Sequence, residues 1–339
     1  MTSNDSSNQE TRHEGPEVTA VREETLAEAK AQRFWRRAYW SLLALCGLIA
    51  LLVAVLLFVF REQVIFSGGS GTREDPFRIE TFFQFRCMRY SMDKHFILTK
   101  DVGGADINDR RKMKPFGTFK GTLDGNGYHI RHVSVESDNT AGLFGVIAEG
   151  AEIKNLMMYY CFVEGYHFVG SFAVFNEGRI EQCAVQNVWL KGDFSNGGLV
   201  AVNKGTICNC LSRAGIFLRP SMGFDITGGI VGMNFGTIEN CLSLSYIPSG
   251  TKEIDIPLVG FNPESPTPAL LYVRNNANAL GITNINGQVI ASVSCYADNL
   301  EITSQKSAYP GWDFEKVWNL REDGKHVPGL RVLHNVVVP

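Results

Sequence analysis

A fourteen-residue phrase that recurs at a nearly constant interval constrains the fold of this chain more than any other feature. It reads GGIVGMNFGTIENC at 228–241, GGLVAVNKGTICNC at 197–210, GSFAVFNEGRIEQC at 170–183 and, with one extra residue, GLFGVIAEGAEIKNL at 142–156. Its closing positions lie 27, 27 and 31 residues apart, at Leu156, Cys183, Cys210 and Cys241. Self-similarity of this kind predicts a stack of units, each of which buries its apolar face only against its neighbours.

Each repeat has the pattern of short strands joined by tight turns. From Thr237 to Tyr246 apolar and polar residues alternate, and this period of two is typical of a strand, not a helix. Glycine and asparagine at the ends of each run supply the positive φ angles that turns need. A coil of about 27 residues with two or three strands is the length of one β-solenoid rung.

Stacking at about 4.8 Å per rung would align equivalent residues in columns along the solenoid axis. We expect one inward column at Ile153, Ile180, Ile207 and Ile238. We expect a second inward column at Leu156, Cys183, Cys210 and Cys241, and a neighbouring polar ladder at Asn155, Gln182, Asn209 and Asn240. Metal ligands must converge on one point, whereas stacked cysteines spread along an axis. The cysteines are therefore predicted to be free thiols in a narrow interior, with Cys208 and Cys210 on the same face of their strand.

The recurring phrase resembles the GLUG motif of bacterial surface proteins. Residues 71–79 (GTREDPFRI) are similar to the segment that opens such domains, and residues 119–130 (FKGTLDGNGYHI) to their first full turn. The tryptophan-containing residues 312–318 and the Pro-Gly-Leu at 328–330 resemble their closing segment, so the resemblance covers most of residues 68–333. It implies a mainly β fold, a right-handed parallel β-helix (solenoid) ectodomain. It says little about activity, because function belongs to sites grafted on folds.

One transmembrane α-helix is predicted before this ectodomain. Residues 38–60 carry no charged side chain, and as a helix they would reach about 34 Å, enough to cross a bilayer. Lys30, Arg33, Arg36 and Arg37 precede this run and only Arg61 follows it directly. The positive-inside rule therefore predicts a type II, single-pass protein of the cell membrane, with its N-terminus in the cytoplasm and its C-terminal domain extracellular or periplasmic. A cleaved secretion signal is the alternative, but the apolar run is long, begins late and has no A-x-A pattern after it.

The sequence predicts seven segments. They are a disordered cytoplasmic tail (1–16), a cytoplasmic or juxtamembrane helix (17–37), the transmembrane helix (38–60), a short linker (61–71), an N-terminal cap with the first strands (72–118), the β-helix (119–303) and a C-terminal cap (304–339). Within the β-helix, the repeats extend over 142–158, 170–186, 197–212 and 228–243, and a final rung is expected near 287–296.

Outward-facing aromatic residues are the candidate contacts for a partner protein or a glycan. They are Tyr166, Phe168, Trp189 and Phe194. A strand seldom exposes tryptophan on its outer face without reason, although some of these side chains could simply cover the next coil. No metal or cofactor site is predicted, because the Asp-Gly-Asn-Gly at 124–127 has one carboxylate and is typical of a tight turn. The net charge of −3, without a basic face, disfavours a nucleic-acid partner.

The sequence favours a non-catalytic, membrane-anchored surface module for adhesion or for assembly with another envelope protein. Residues 17–37 could bind a cytoplasmic partner, and an oligomer is compatible with the sequence. The alternative is a membrane-tethered polysaccharide lyase or glycoside hydrolase, for which two carboxyls must lie about 5 to 9.5 Å apart. The acids that could serve are Glu152, Glu177, Asp193, Asp225 and Glu239. Their positions within the repeat put them on different sides of the coil, which favours the non-catalytic interpretation.

Overall fold

The computed structural model describes residues 16–59, 61–218, 226–249, 252–256, 258–261, 281–285, 288–292, 306, 312–320 and 329–333. The chain divides between Val64 and Ile65 into two compact units. The predicted tail at 1–16 lies outside the described residues except for Pro16, where the first helix begins. Asp225 also lies outside them, as does Cys295 of the final rung predicted near 287–296.

A long helix, α1 (Pro16–Val59), forms the N-terminal unit, and the short helix α2 (Arg61–Ile65) follows it. Within Lys30–Val55 the most apolar 18-residue window has a mean hydropathy of 2.3, and no residue of that window is buried inside the protein. An apolar helix exposed on all sides is not typical of a water-soluble domain. Helix α1 is therefore long and apolar enough to span a membrane, and the polar residues before position 38 continue into it without a break.

The second unit opens with a cap of short helices and packed aromatic rings. Helix α3 (Phe82–Cys87) is followed by a 3₁₀ turn at Met88–Tyr90. Phe85 is fully buried, and Phe66 stacks on Phe77 with 4.7 Å between ring centroids. These rings cover apolar surface at the first strands, where an open solenoid end would otherwise expose unpaired backbone groups.

About six rungs of short strands follow the cap. Strand β1 (Phe77–Ile79) precedes the first rung, which contains β2 (Phe96–Leu98), β3 (Val102–Gly103), β4 (Arg111–Met113) and β5 (Phe116–Phe119). The second rung contains β6 (Thr122–Asp124), β7 (His129–Arg131), β8 (Val133–Glu136) and β9 (Phe144–Ile147). The third rung contains β10 (Glu152–Lys154), β11 (Met157–Tyr159), β12 (Phe162–Glu164), β13 (Phe168–Gly170) and β14 (Ala173–Asn176). The fourth has β15 (Arg179–Glu181), β16 (Ala184–Gly192), β17 (Ser195–Gly197) and β18 (Val200–Asn203); the fifth β19 (Thr206–Cys208), β20 (Leu211–Leu218), β21 (Ile226–Gly228) and β22 (Val231–Asn234); the sixth β23 (Thr237–Glu239), β24 (Leu242–Ser243), β25 (Tyr246–Ser249), β26 (Lys252–Asp255) and β27 (Val259–Phe261). Four further strands are β28 (Gly281–Ile285), β29 (Gln288–Ser292), β30 (Trp318–Asn319) and β31 (Gly329–Leu330), and a second 3₁₀ turn lies at Ile107–Asp109.

Equivalent strands of successive rungs pair in parallel to form four sheets, and β26 and β28 join sheet B by antiparallel pairing with β25 and β29. Sheet A has the order β1-β2-β6-β10-β15-β19-β23, and sheet C has the order β5-β9-β14-β18-β22-β27. Sheet B runs β3-β7-β11-β16-β20-β24-β29-β28, with β4, β8, β12, β25 and β26 beside this path. Sheet D is β13-β17-β21. The prediction of a mainly β, parallel solenoid is confirmed.

The predicted isoleucine column forms the buried inner side of sheet A. Ile153, Ile180, Ile207 and Ile238 are direct strand partners in register. All four are at least 99 % buried, and the column continues towards the cap through Leu123 and Phe96. Burying each isoleucine contributes about 1.5–3 kcal/mol.

The second inward column is also where the repeat predicts it. Leu156, Cys183, Cys210 and Cys241 are completely buried. All seven cysteines that the structure describes are free thiols. Burial raises the pKa values of Cys210 and Cys241 well above the ordinary thiol value. These thiols therefore stay protonated and act as small apolar side chains.

A left-handed backbone residue precedes each member of this column. Asn155, Gln182, Asn209 and Asn240, the predicted polar ladder, have φ between 50° and 53°. Their shared role in the structure is to turn the chain, so that the following side chain enters the core. The prediction that Cys208 lies on the same face as Cys210 is wrong, because the left-handed Asn209 between them interrupts the alternation of a strand. Cys208 aligns with Glu181 and Glu239 on the outer side of sheet A, while Cys210 faces inward.

A hydrogen-bonded ladder of buried amides does exist, in sheet C. Asn176, Asn203 and Asn234 are strand partners and are at least 99 % buried. The Nδ2 group of Asn176 donates to Oδ1 of Asn203 at 2.8 Å, and Nδ2 of Asn203 donates to Oδ1 of Asn234 at 2.8 Å. The ladder begins at Asn176 because its partner in the preceding rung is Ile147.

The tryptophan-containing C-terminal segment lies along the side of the solenoid. Trp312, Trp318, Leu330 and Leu333 form one apolar cluster with an outer column of sheet B. That column comprises Met157, Ala184, Leu211 and Leu242. The segment predicted as a cap thus covers a lateral apolar stripe in the part of it that the structure describes.

The left-handed corners predict a pair of opposite stability effects. Gln182→Asn should raise the free energy of unfolding by about 0.5–1 kcal/mol, because asparagine tolerates a positive φ better than a longer side chain does. Asn209→Gln, the reverse change one rung later, should lower it by a similar amount. Thermal and urea unfolding of the full chain in detergent, followed by circular dichroism, measures both. Shifts of the same sign would contradict this account of the corners.

The amide ladder predicts unequal costs for two identical truncations. Asn203→Ala removes two amide hydrogen bonds from the buried ladder and should lower the free energy of unfolding by about 2–4 kcal/mol. Asn176→Ala removes one of these bonds, and its own Oδ1 has no hydrogen-bond partner among the described residues. Its cost should be about 1–2 kcal/mol. Equal costs in urea unfolding would show that the ladder bonds do not set the difference.

Candidate functional site

The outer face of sheet B carries two adjacent columns of residues, most of them aromatic or charged. The first contains Ser134, Phe162, Trp189, Gly215 and Tyr246. The second, two residues further along each strand, contains Glu136, Glu164, Lys191 and Phe217. The residues between the two columns are fully buried and point inward: Val135, Val163, Leu190 and Ile216. The strand alternation therefore presents both columns on the outside of the solenoid.

Four aromatic residues, Phe162, Trp189, Phe217 and Tyr246, form what we term the aromatic row. The ring centroid of Trp189 lies 5.5 Å from that of Phe217 and 6.3 Å from that of Tyr246. A Cβ atom at Gly215 would lie 2.4 Å from Cζ3 of Trp189, so the indole rests directly on the glycine backbone. Because Gly215 has no side chain, the indole of Trp189 can lie flat on the outside of the sheet.

A polar cleft lies beside the aromatic row, at the turns that follow β8 and β12. Its volume is about 330 Å³, and its lining residues are Lys114, Glu136, Ser137, Asp138, Glu164, Gly165 and Tyr166. The two turns are held together by backbone hydrogen bonds, of which Ser137 N to Glu164 O at 3.0 Å is one. Tyr166 is 44 % exposed. We refer to these seven residues as the Tyr166 cleft.

The charges in the Tyr166 cleft are balanced. The Lys112 Nζ lies 3.1 Å from Glu136 Oε1, and the Lys191 Nζ lies 2.8 Å from Glu164 Oε1. Lys112 and a hydrogen bond from Ser134 hold the pKa of Glu136 below its ordinary value. Among the residues that the structure describes, Lys114 and Asp138 form no ion pair. The cleft thus offers one unpaired ammonium and one unpaired carboxylate.

The four predicted contact residues do not form one site. Tyr166 lines the cleft and Trp189 belongs to the aromatic row, both on the sheet B side. Phe168 begins β13 after the next corner, and its ring packs against Phe194 at 5.3 Å and Phe175 at 5.9 Å. Phe168 and Phe194 therefore belong to a separate apolar patch beside sheet C.

Sequence reasoning missed three members of the aromatic row and most of the cleft. Phe162 lies 27 residues before Trp189, so the repeat period could have identified it as a neighbour. The cleft gives no such signal. Glu136 and Glu164 become neighbours only because their strands pair, and Lys114 comes from an earlier rung.

The acids considered for catalysis lie at separate places. Glu152, on sheet A, pairs with Arg73 at 3.4 Å and Lys154 at 3.6 Å. Glu177 pairs with Lys204 at 3.6 Å, Asp193 is buried after β16, and Glu239 aligns with Cys208. Within the described part of the chain no three His, Cys, Asp or Glu side chains are grouped closely enough to hold a metal ion.

Comparison with known proteins gives partial matches. No family model matches the sequence. The chain is 33 % identical over 138 residues to a protein of Evansella cellulosilytica described as a Gly-rich membrane protein, a match that covers 37 % of this chain and 16 % of that protein. It is 27 % identical over 148 residues to halomucin of Haloquadratum walsbyi, covering 40 % of this chain and 2 % of halomucin. The chain thus matches less than a fifth of the length of either relative.

One solved structure that matches this chain is described as an immunoglobulin A1 protease from Bacteroides ovatus. The TM-score is 0.35 and the sequence identity is 16 %, with 79 % of this chain and 96 % of that chain covered.

The imidazole of His132, beside the sheet B columns, predicts a pH effect on stability. Burial, and next the charge of Arg131, hold the pKa of His132 below its ordinary value, and its Nδ1 has no hydrogen-bond partner among the described residues. The unfolded chain therefore binds a proton more readily, and the free energy of unfolding should fall as the pH drops below about 6.5. His132→Asn keeps a residue that tolerates the φ of 52° and should weaken this dependence.

Urea unfolding between pH 7.5 and pH 5 measures the change. Tyr160→Phe is the matched control, because it keeps the ring that stacks on His132 and leaves the imidazole in place. His95, whose pKa burial also lowers, is present in both variants and gives a common background. An unchanged pH slope in His132→Asn would exclude His132 as its source.

Proposed function

We propose that this protein is a non-catalytic, membrane-anchored surface module that uses the outer face of sheet B for adhesion or for assembly with another envelope protein. The observation that carries the proposal is the aromatic row beside the Tyr166 cleft on one rigid lateral face. Stacked rungs hold these side chains in fixed register, which lowers the entropy lost when a partner binds. Phe217, 38 % exposed, is the most accessible ring of the row.

The membrane anchor in this proposal is helix α1. Its segment Lys30–Val55, whose apolar run begins at residue 38, is long enough to cross a bilayer, and one relative is described as a membrane protein. The arginines before the apolar run support a cytoplasmic N-terminus and an extracellular or periplasmic solenoid. The resemblance of the repeats to the GLUG motif supports a place among bacterial surface proteins. Residues 17–37 could then bind an inner partner.

The acids of the solenoid support a binding role over glycan cleavage. A glycosidase needs one carboxyl whose pKa is raised so that it can donate a proton. In the Tyr166 cleft the pKa of Glu136 is instead lowered, because Lys112 stabilises its charged form. Of the acids considered from the sequence, Glu152 is likewise paired with Arg73 and Lys154, and Glu177 with Lys204.

Site-specific cross-linking in the source cells tests the proposal. A photoreactive amino acid at Phe217 should give a reproducible adduct with an envelope component, because this position lies on the proposed contact face. The same amino acid at Thr206, on the outside of sheet A, is the matched control and should give much less.

Equal adduct yields at the two positions, or none at either, would contradict the use of this face. New reducing ends or unsaturated products in polysaccharide digests with the purified chain, lost in Glu136→Gln, would favour the enzyme instead.

A further inference from the structure

We propose that the Tyr166 cleft binds a neutral, hydroxyl-rich saccharide unit of a glycan. This inference deepens the proposed function, on which it rests, by assigning a ligand class to part of the same face. The cleft is a surface cavity of about 330 Å³, near the lower end of the range for small-molecule sites. A volume of this size suits one or two sugar rings and is too small for a folded partner.

The charges of the cleft select against ions of either sign. Glu136 and Glu164 are neutralised by Lys112 and Lys191, each within 3.1 Å. Lys114 and Asp138 then contribute one charge of each sign to the lining. A polyanion would meet the carboxylates of Asp138, Glu136 and Glu164, while a polycation would meet Lys114 in the lining, and Lys112 and Lys191 beside the two glutamates. A ligand without net charge avoids both repulsions.

The mixture of donors and acceptors favours hydroxyl groups. The ammonium of Lys114 only donates hydrogen bonds, and the carboxylate of Asp138 only accepts them. A hydroxyl group does both, so a ligand with several hydroxyls can satisfy both residues at once without deprotonation. Hydrogen bonds to charged groups are also stronger than those between neutral groups.

The exposed ring of Tyr166 supplies the apolar part of the site. It is held at its position by the turn after β12, where His167 N donates to Asn139 O at 3.0 Å. An aromatic face in a polar cleft suits a ligand that is polar at its edges and has C–H groups on its faces, as a pyranose does. From the cleft, paired strands lead through Glu164 and Lys191 to Phe217, so a longer glycan would run along the solenoid axis.

Titration of the full chain in lipid nanodiscs tests the inference, since maltoside and glucoside detergents are themselves sugars. The probes are three neutral trisaccharides (cellotriose, maltotriose and mannotriose), a galacturonate trimer as the anion and a glucosamine trimer as the cation. We expect at least one neutral trimer to bind with a Kd of about 0.1–1 mM, and about tenfold more tightly than either charged trimer. Calorimetry or saturation-transfer NMR measures the affinities.

Three variants assign the binding to the cleft. Tyr166→Ala should weaken the neutral trimer about tenfold, whereas Tyr166→Phe, which keeps the ring, should stay within about threefold. Phe194→Ser, in the separate patch beside sheet C, should leave affinity unchanged. Failure of all three neutral trimers to bind, tighter binding of a charged trimer, or no effect of Tyr166→Ala would overturn the inference.

The outcome separates this inference from the broader proposal. If Tyr166→Ala does not change sugar binding but cross-linking at Phe217 still gives an adduct, the saccharide assignment fails and the surface-module function stands. If neutral trimers bind through Tyr166 but Phe217 gives no adduct, the saccharide assignment stands and the proposed use of the wider face fails.

Discussion

Hydrogen bonding between rungs is the constraint on which the rest of this structure depends. Most strands have only three or four residues, and their hydrogen-bond partners lie mainly in the neighbouring rungs. Strand β10 illustrates the solution, because it pairs in parallel with β6 before it and β15 after it. The register is fixed by the core, since a slip of one residue would turn Ile153 outward and a polar neighbour inward. Each rung therefore specifies the position of the next.

Corners in the left-handed conformation reconcile this pairing with a narrow interior. At Asn155, Gln182, Asn209 and Asn240 the chain turns within a single residue, and the side chain that follows enters the core. A second set of left-handed corners lies in sheet B, at His132, Tyr160 and Asn187. Asparagine serves best because its short amide can hydrogen-bond locally at positive φ. The repeated Asn-Cys pair of the sequence is thus one device, a turn followed by a small buried residue.

The same stacking that orders the core also orders the outer surface. Residues that align on the outer surface form rows, and these rows differ in their exposure to solvent. The C-terminal segment covers the row from Met157 to Leu242. The neighbouring aromatic row and the Tyr166 cleft remain accessible at Phe217 and Tyr166. A solenoid therefore presents a ligand with a periodic surface whose chemistry changes rung by rung, which is the physical basis of the binding function that we propose.

The sequence by itself determined the solenoid, its inward columns and the apolar N-terminal helix, because each is a local pattern repeated at a constant spacing. Ile153 and Cys183 are found by period alone. Only the tertiary structure decided what one left-handed residue does to the alternation, which is why Cys208 faces outward. It also decided that Phe168 lies around a corner from Trp189, and that Glu136, Glu164 and Lys114 meet in one cleft. Those outcomes depend on the direction of each corner and on pairing between rungs, and neither is encoded in the spacing of residue types within a single repeat.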